Sequence, residues 1–158
     1  MGLYEALIKE SPIPMDDRAT LPDNIKGIYI KTRTEDVILL NRNIQTTAEK
    51  TCILAEELGH YHTSTGDITD QTKINNRKQE RRAREWAHRR LIPLRRIVDA
   101  HKAHVTGRHE LAEYLGVTEH FLQEAIDRYR NKYGPYVKVD DRYTIMFEPL
   151  SVIELFPE

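Results

Sequence analysis

Ala55-Glu56-Glu57-Leu58-Gly59-His60 is the stretch on which the reading of this chain turns. It stands one residue away from H-E-x-x-H, a helical pattern in which two histidines one turn apart hold a metal. The glutamate between them acts as general base toward a water on that metal. Glu57 and His60 occupy the places of the base and the second histidine, and Glu56 occupies the place of the first histidine. Four apart on a helix, Glu56 and His60 share one face and can converge on a single ion. Glu57, three before His60, lies on the flank of that face, placed to hydrogen-bond a water rather than to bind the ion.

Taken singly, each of these residues has a plainer role. A Glu-Glu pair on a helix is ordinarily a solvated face, and a lone histidine is ordinarily a satisfied core residue. The surroundings argue otherwise. Leu54-Ala55 and Leu58-Gly59 bracket the pair, and two adjacent carboxylates are costly in apolar surroundings without a cation. Gly59 inside a helix costs about 1 kcal/mol against alanine, which asks for close backbone packing beside a site. His62 points away from His60 around the helix and reads as a surface or supporting residue. A hydrolytic zinc site needs three protein ligands and an open position. The third is sought in Glu80, three before Ala83 and six before Trp86 on the next helix. Burial of Ala83 and Trp86 would aim Glu80 at the metal.

Outward from this stretch, Thr46 with Glu49 fits a capping box, so the helix begins at Thr46-Thr47 and runs to about His62. Ala48, Cys52, Ile53, Ala55, Leu58 and Gly59 form its buried face, and it frays over residues 63–67. A polar loop over 65–76 leads to a basic helix from about Arg77 to Leu91, with Ala83, Trp86, Ala87 and Leu91 inward. Upstream, Leu3–Lys9 has helical spacing and stops at Ser11-Pro12-Ile13-Pro14. Gly27–Lys31 and Asp36–Asn41 read as strands joined by the turn at 32–35. Downstream, Pro93 can open a short helix at 94–101, and a helical pair follows at Arg108–Leu115 and Thr118–Tyr133. Tyr136–Val139 and Tyr143–Phe147 form a closing hairpin. This is one α+β domain with a mostly helical core and a small sheet, divided into a core at 1–106 and a C-terminal subregion at 107–158.

With 158 residues the chain can bury a real core, and 24 basic against 25 acidic side chains leave a net charge of −1. Such a balance gives no global argument for nucleic acid; any basic surface is local. The single cysteine, Cys52, beside Ile53 and Leu54, reads as a buried thiol. No run is apolar enough for a membrane span and no signal-peptide pattern opens the chain, so a cytoplasmic location is expected.

The run from Lys50 to Thr63, followed by Glu80-Arg81-Arg82-Ala83-Arg84-Glu85-Trp86-Ala87-His88-Arg89-Arg90-Leu91-Ile92-Pro93, resembles the ImmA/IrrE family of small metallopeptidases. Glu110–Glu119 also resembles the helical element that follows in those proteins, and the likeness covers roughly residues 25–130. The resemblance implies a zincin-like fold, with Glu57 as catalytic base and Glu80 as third ligand. Because Glu56 replaces the family's first histidine, the implied ligand set is Glu56, His60 and Glu80. Two carboxylates and one imidazole admit Zn²⁺ or Mn²⁺. It further implies a prophage or mobile-element endopeptidase that cleaves a helix-turn-helix repressor and so derepresses the element. The alternative is a metal-free pseudo-protease, or a DNA-binding module, that docks on the repressor without cutting it. Residues 108–129 have a helix-turn-helix look. Their second helix would present Glu119, His120, Gln123, Glu124 and Asp127 outward, and an acidic face does not suit phosphates. Direct DNA binding is therefore not expected.

Overall fold

The computed structural model describes residues 2–64 and 73–156, with side chains from residue 77 onward in the second span. Its contacts gather into two compact units, Met1–Ala87 and His88–Glu158. Both units mix helices with a three-stranded sheet, and the expected α+β class is the observed one.

In the first unit, α1 (Leu3–Glu10) buries Tyr4 and Leu7 and stops before the two prolines. The sheet is ordered β1-β3-β2: β1 (Met15–Ala19) runs parallel and β2 (Gly27–Lys31) antiparallel to the central β3 (Asp36–Asn41). Ile38 and Leu40 of β3 are fully buried. Beside them, the buried Asn41 aims its Nδ2 at the carbonyls of Leu21, Pro22 and Ile25 at 2.9–3.1 Å, which ties down the loop before β2. Strand β1 carries no hydrophobic signal, since Met15-Asp16-Asp17-Arg18-Ala19 is mostly polar. Main-chain pairing to β3 makes it a strand, and no sequence pattern announces that.

Helix α2 (Thr47–Thr63) begins as expected: the Thr46 hydroxyl accepts from the Glu49 N–H at 3.1 Å. It buries Thr51, Cys52, Leu54, Ala55, Leu58 and Gly59. The expected members Ala48 and Ile53 are only half-buried, and Leu54 takes part in the core. Helix α3 (Lys73–Leu91) starts earlier than the expected Arg77, because nothing in Lys73-Ile74-Asn75-Asn76 breaks a helix. The rest of the expected polar loop, with the fraying beyond Ser64, lies outside the described residues. Ala83 and Ala87 are fully buried, whereas Trp86 is half-exposed.

The second unit holds α4 (Leu94–Lys102), α5 (Arg108–Leu115), α6 (Glu119–Tyr133) and an antiparallel sheet β4 (Tyr136–Lys138), β5 (Tyr143–Phe147), β6 (Leu150–Glu154). Gly116, at φ 77°, ends α5 in the left-handed region, and the Thr118 hydroxyl caps α6 by accepting from the Phe121 N–H at 3.1 Å. The expected apolar face of the pair is buried, from Leu111, Ala112 and Leu115 to Phe121, Leu122, Ala125 and Ile126. A third strand, β6, extends the expected hairpin: the turn at Glu148-Pro149 reverses the chain rather than ending the sheet. The outward face of α6 also differs from expectation. Glu119 and His120 are exposed, but Gln123, Glu124 and Asp127 are half-buried. The Gln123 amide donates to Asp127 at 2.9 Å, and Glu124 stands 3.8 Å from the buried His88 ring. Arg128 donates to His88 Nδ1 at 3.0 Å. The polar face of α6 is therefore largely engaged in holding the unit together.

Among the described residues no helix is long and apolar enough to cross a membrane.

The α2–α3 contact can be probed directly. A Cβ at Gly59 would stand 2.9 Å from the Ala83 Cα and closer still to the Ala83 carbonyl oxygen. Gly59→Ala should lower the unfolding free energy by about 1–2 kcal/mol net, since overpacking against backbone outweighs the helical preference of alanine. Urea denaturation reads this out; an unchanged or raised midpoint would mean the helices do not approach this closely.

Candidate active site

Glu56, Glu57 and His60 lie half-buried along one side of α2. Glu57 is held against the sheet. Gly27 in β2 has no room for a side chain, because a Cβ there would stand 2.6 Å from Ile53 Cγ2 and 3.4 Å from Glu57 Cγ. That close approach lets the main-chain N–H of Tyr29 donate to the Glu57 carboxylate. In the antiparallel pairing Tyr29 faces Ile38, but β2 has no neighbour on its other edge within the sheet.

Across the Gly59–Ala83 contact, His60 Nε2 lies 3.1 Å from Glu80 Oε1, with the imidazole 24% and the carboxylate 56% exposed. The helix register needed to bring Glu80 to His60 is thus the one the chain adopts. The carboxyl of Glu57 is pushed up to about 7, first by burial, then by the charges of Glu56 and Glu80, and only partly offset by the Tyr29 N–H. All four residues singled out in the sequence therefore act on one small region. They do not close into a three-donor cage: among the described residues no three histidine, cysteine, aspartate or glutamate side chains come together tightly enough to hold a metal.

His62 is exposed and stacks on Trp86, with ring centroids 4.7 Å apart and planes at 18°; burial of its ring lowers its basicity. It takes no part in the His60–Glu80 contact. Two residues escaped the sequence reading. Tyr61 packs edge-on against Tyr29 at 6.0 Å and against His62 at 5.0 Å, so an aromatic row runs from β2 through α2 to Trp86 on α3. The Tyr29 hydroxyl is anchored on Asp36 at 2.5 Å, and burial with this contact raises its pKa. Tyr61, one turn beyond Glu57, could have been found from spacing. Tyr29 could not, since its place depends on how β2 meets α2.

Residues 18–127, more than half of the chain, match the peptidase M78 family, described as the IrrE N-terminal-like domain. The chain belongs to this family. The IrrE N-terminal-like span takes in β2, β3, α2, α3 and most of α6, hence Glu56, Glu57, His60 and Glu80. Membership makes the chain metallopeptidase-like. No curated protein and no solved structure matches it.

The Glu57 carboxyl gives this IrrE-like domain a distinctive pH dependence. Its folded pKa of about 7 lies above the ordinary 4.5, so between those values the native state holds a proton that the unfolded chain releases. Metal-free protein should accordingly lose stability as pH rises through that window. Glu57→Gln removes the cost of ionisation: it should match wild type below pH ~4.5 and exceed it by up to about 3 kcal/mol at pH ~8. Chemical denaturation of chelator-treated protein across pH would show this, and parallel wild-type and variant curves would refute the burial of Glu57.

Proposed function

We propose that the chain is a metal-dependent endopeptidase with Glu57 as general base and Glu56, His60 and Glu80 as the metal-binding set. The observation that carries the reading is the His60–Glu80 contact at 3.1 Å beside a carboxyl that keeps its proton up to about pH 7. Glu56, Glu57 and Glu80 crowd their charges into a half-buried region, and a divalent cation relieves that crowding. The donor chemistry suits Zn²⁺ or Mn²⁺. Such an ion, when bound, polarises the scissile carbonyl and acidifies water.

The chain's own residues supply the rest. Glu57, beside the Tyr29 N–H, takes the proton from the attacking water and returns it to the leaving amine. Tyr29 and Tyr61 wall the region beside Glu57. The proposed target is a helix-turn-helix repressor of a phage or mobile element, whose cleavage derepresses that element in the cytoplasm. This target rests on the likeness to ImmA/IrrE proteins.

A second reading, a docking module that binds the repressor without cutting it, is favoured by one observation: Glu56 stands where the H-E-x-x-H pattern has its first histidine. The engagement of Glu124, Asp127 and Arg128 in contacts within the second unit supports the view that α6 is not a DNA-reading helix.

Elemental analysis and a repressor-cleavage assay separate the two readings. Glu57→Ala should abolish cleavage, by about 100-fold or more, with metal content near wild type, since a base is not a ligand. His60→Ala should lose both. Glu56→His should tighten zinc by restoring a second imidazole and removing a negative charge. A wild type that takes up neither zinc nor manganese, beside a Glu56→His variant that does, would establish the docking module instead.

A further inference from the structure

The residues around Glu80 are strongly basic for a chain of net charge −1. Between Arg77 and Arg84 there are five cations, Arg77, Lys78, Arg81, Arg82 and Arg84, and a single carboxylate, Glu80. All five are exposed, and among the described residues none has an ion-pair partner. Elsewhere the described surface cations commonly sit near carboxylates, as in Lys26–Glu49 at 3.3 Å and Arg95–Asp140 at 2.7 Å.

At about 100° per residue the five cations occupy one arc of roughly 160° on α3, which the half-buried Glu85 also enters at its C-terminal end, and the buried Ala83 and Ala87 lie on the other side. Glu80 borders the arc beside Arg77 and Arg84, so the basic strip begins where the His60–Glu80 pair ends. Five like charges on two turns repel one another, and a helix gains nothing from that arrangement by itself. An anionic partner removes the penalty.

We propose that this strip recruits an acidic polypeptide segment to the Glu57–His60–Glu80 region. The inference rests on the peptidase reading of that region and names its substrate class. From Arg77 to Arg84 the strip is about 10 Å long at 1.5 Å per residue, which three or four residues of extended peptide span at roughly 3.3 Å each. The segment therefore carries two or more carboxylates within a few residues of the bond presented to Glu57. Nucleic acid fits less well. A polyphosphate backbone carries evenly spaced charge, and laying it along the strip would bring phosphates against Glu80, with Glu56 and Glu57 close by. A polypeptide can set its carboxylates on the arginines and leave uncharged backbone beside the glutamates.

Fluorescence anisotropy with labelled probes tests the proposal. The probes are a Glu-Ser-Leu repeat peptide, a Gln-Ser-Leu peptide of equal length, and a random-sequence DNA duplex. The acidic peptide should bind at least about tenfold more tightly than the neutral one at low salt, and the preference should shrink at physiological salt. Arg81→Glu/Arg82→Glu/Arg84→Glu should erase the preference, with Arg81→Gln/Arg82→Gln/Arg84→Gln intermediate and circular dichroism confirming the fold. Arg18→Glu/Arg42→Glu, exposed cations away from α3, should leave it unchanged. Equal binding of both peptides, or a preference that survives the triple reversal, overturns the proposal. Tighter binding of the duplex than of the acidic peptide overturns it in favour of nucleic acid. His60→Ala should retain the preference, since recruitment does not use the site's chemistry. A protein that prefers the acidic peptide yet cleaves nothing sustains the recruiting strip and counts against the peptidase reading alone.

Discussion

Helices α2 and α3 touch through Gly59 and the main chain of Ala83, with no side chain between them, and the candidate site exists because of that contact. Only glycine permits it, since any Cβ at 59 would enter the Ala83 backbone. Ala83 and Ala87, both fully buried, keep the α3 side of the contact equally thin. The approach sets His60 of one helix against Glu80 of the other at 3.1 Å. A bulkier contact would move the helices apart and lengthen the His60–Glu80 contact. The helical cost of Gly59 is thus offset by a geometry that no larger residue allows.

A second close approach has the same logic on the opposite flank of α2. Gly27 lets β2 lie against Ile53 and Glu57, and the Tyr29 N–H then reaches the Glu57 carboxylate. Burial raises the Glu57 carboxyl to about 7, and the Tyr29 N–H offsets part of that rise. Burial, two neighbouring carboxylates and one hydrogen bond pull in different directions, and burial dominates. In the metal-free protein the outcome is a carboxyl poised near neutrality.

The second unit shows how similar-looking polar residues can serve structure instead. Polar residues on α6 are turned to internal use: Glu124 and Arg128 stand beside the buried His88 and Gln123 bonds Asp127, while Tyr129, on the buried face, donates to the Ile92 carbonyl at 2.8 Å. Arg128 meets the buried imidazole at Nδ1, and the Glu124 carboxylate stands 3.8 Å from Nε2, close enough for charge attraction but beyond hydrogen-bond length. The helix-turn-helix appearance of 108–129 is real as a packing motif, with its Gly116 stop and Thr118 cap, without implying a helix that reads bases.

The sequence alone determined what is local. Thr46 and Thr118 set the helix starts, Gly116 the left-handed stop, and the apolar spacing of 111–126 the buried face of the pair, since capping and periodicity act within a turn or two. It likewise placed Glu56, Glu57 and His60 on one helix and pointed to Glu80 as their partner. What it could not supply depends on groups far apart in the chain. The polar strand Met15–Ala19 is defined by parallel bonding to β3, and β6 by pairing across the turn at Pro149. The Tyr29 donor, the aromatic row to Trp86 and the elevated pKa of Glu57 arise only when β2, α2 and α3 meet. Spacing along a helix fixes which side chains share a face; how far they are from water, and whose charges they feel, is decided by the elements that close over them.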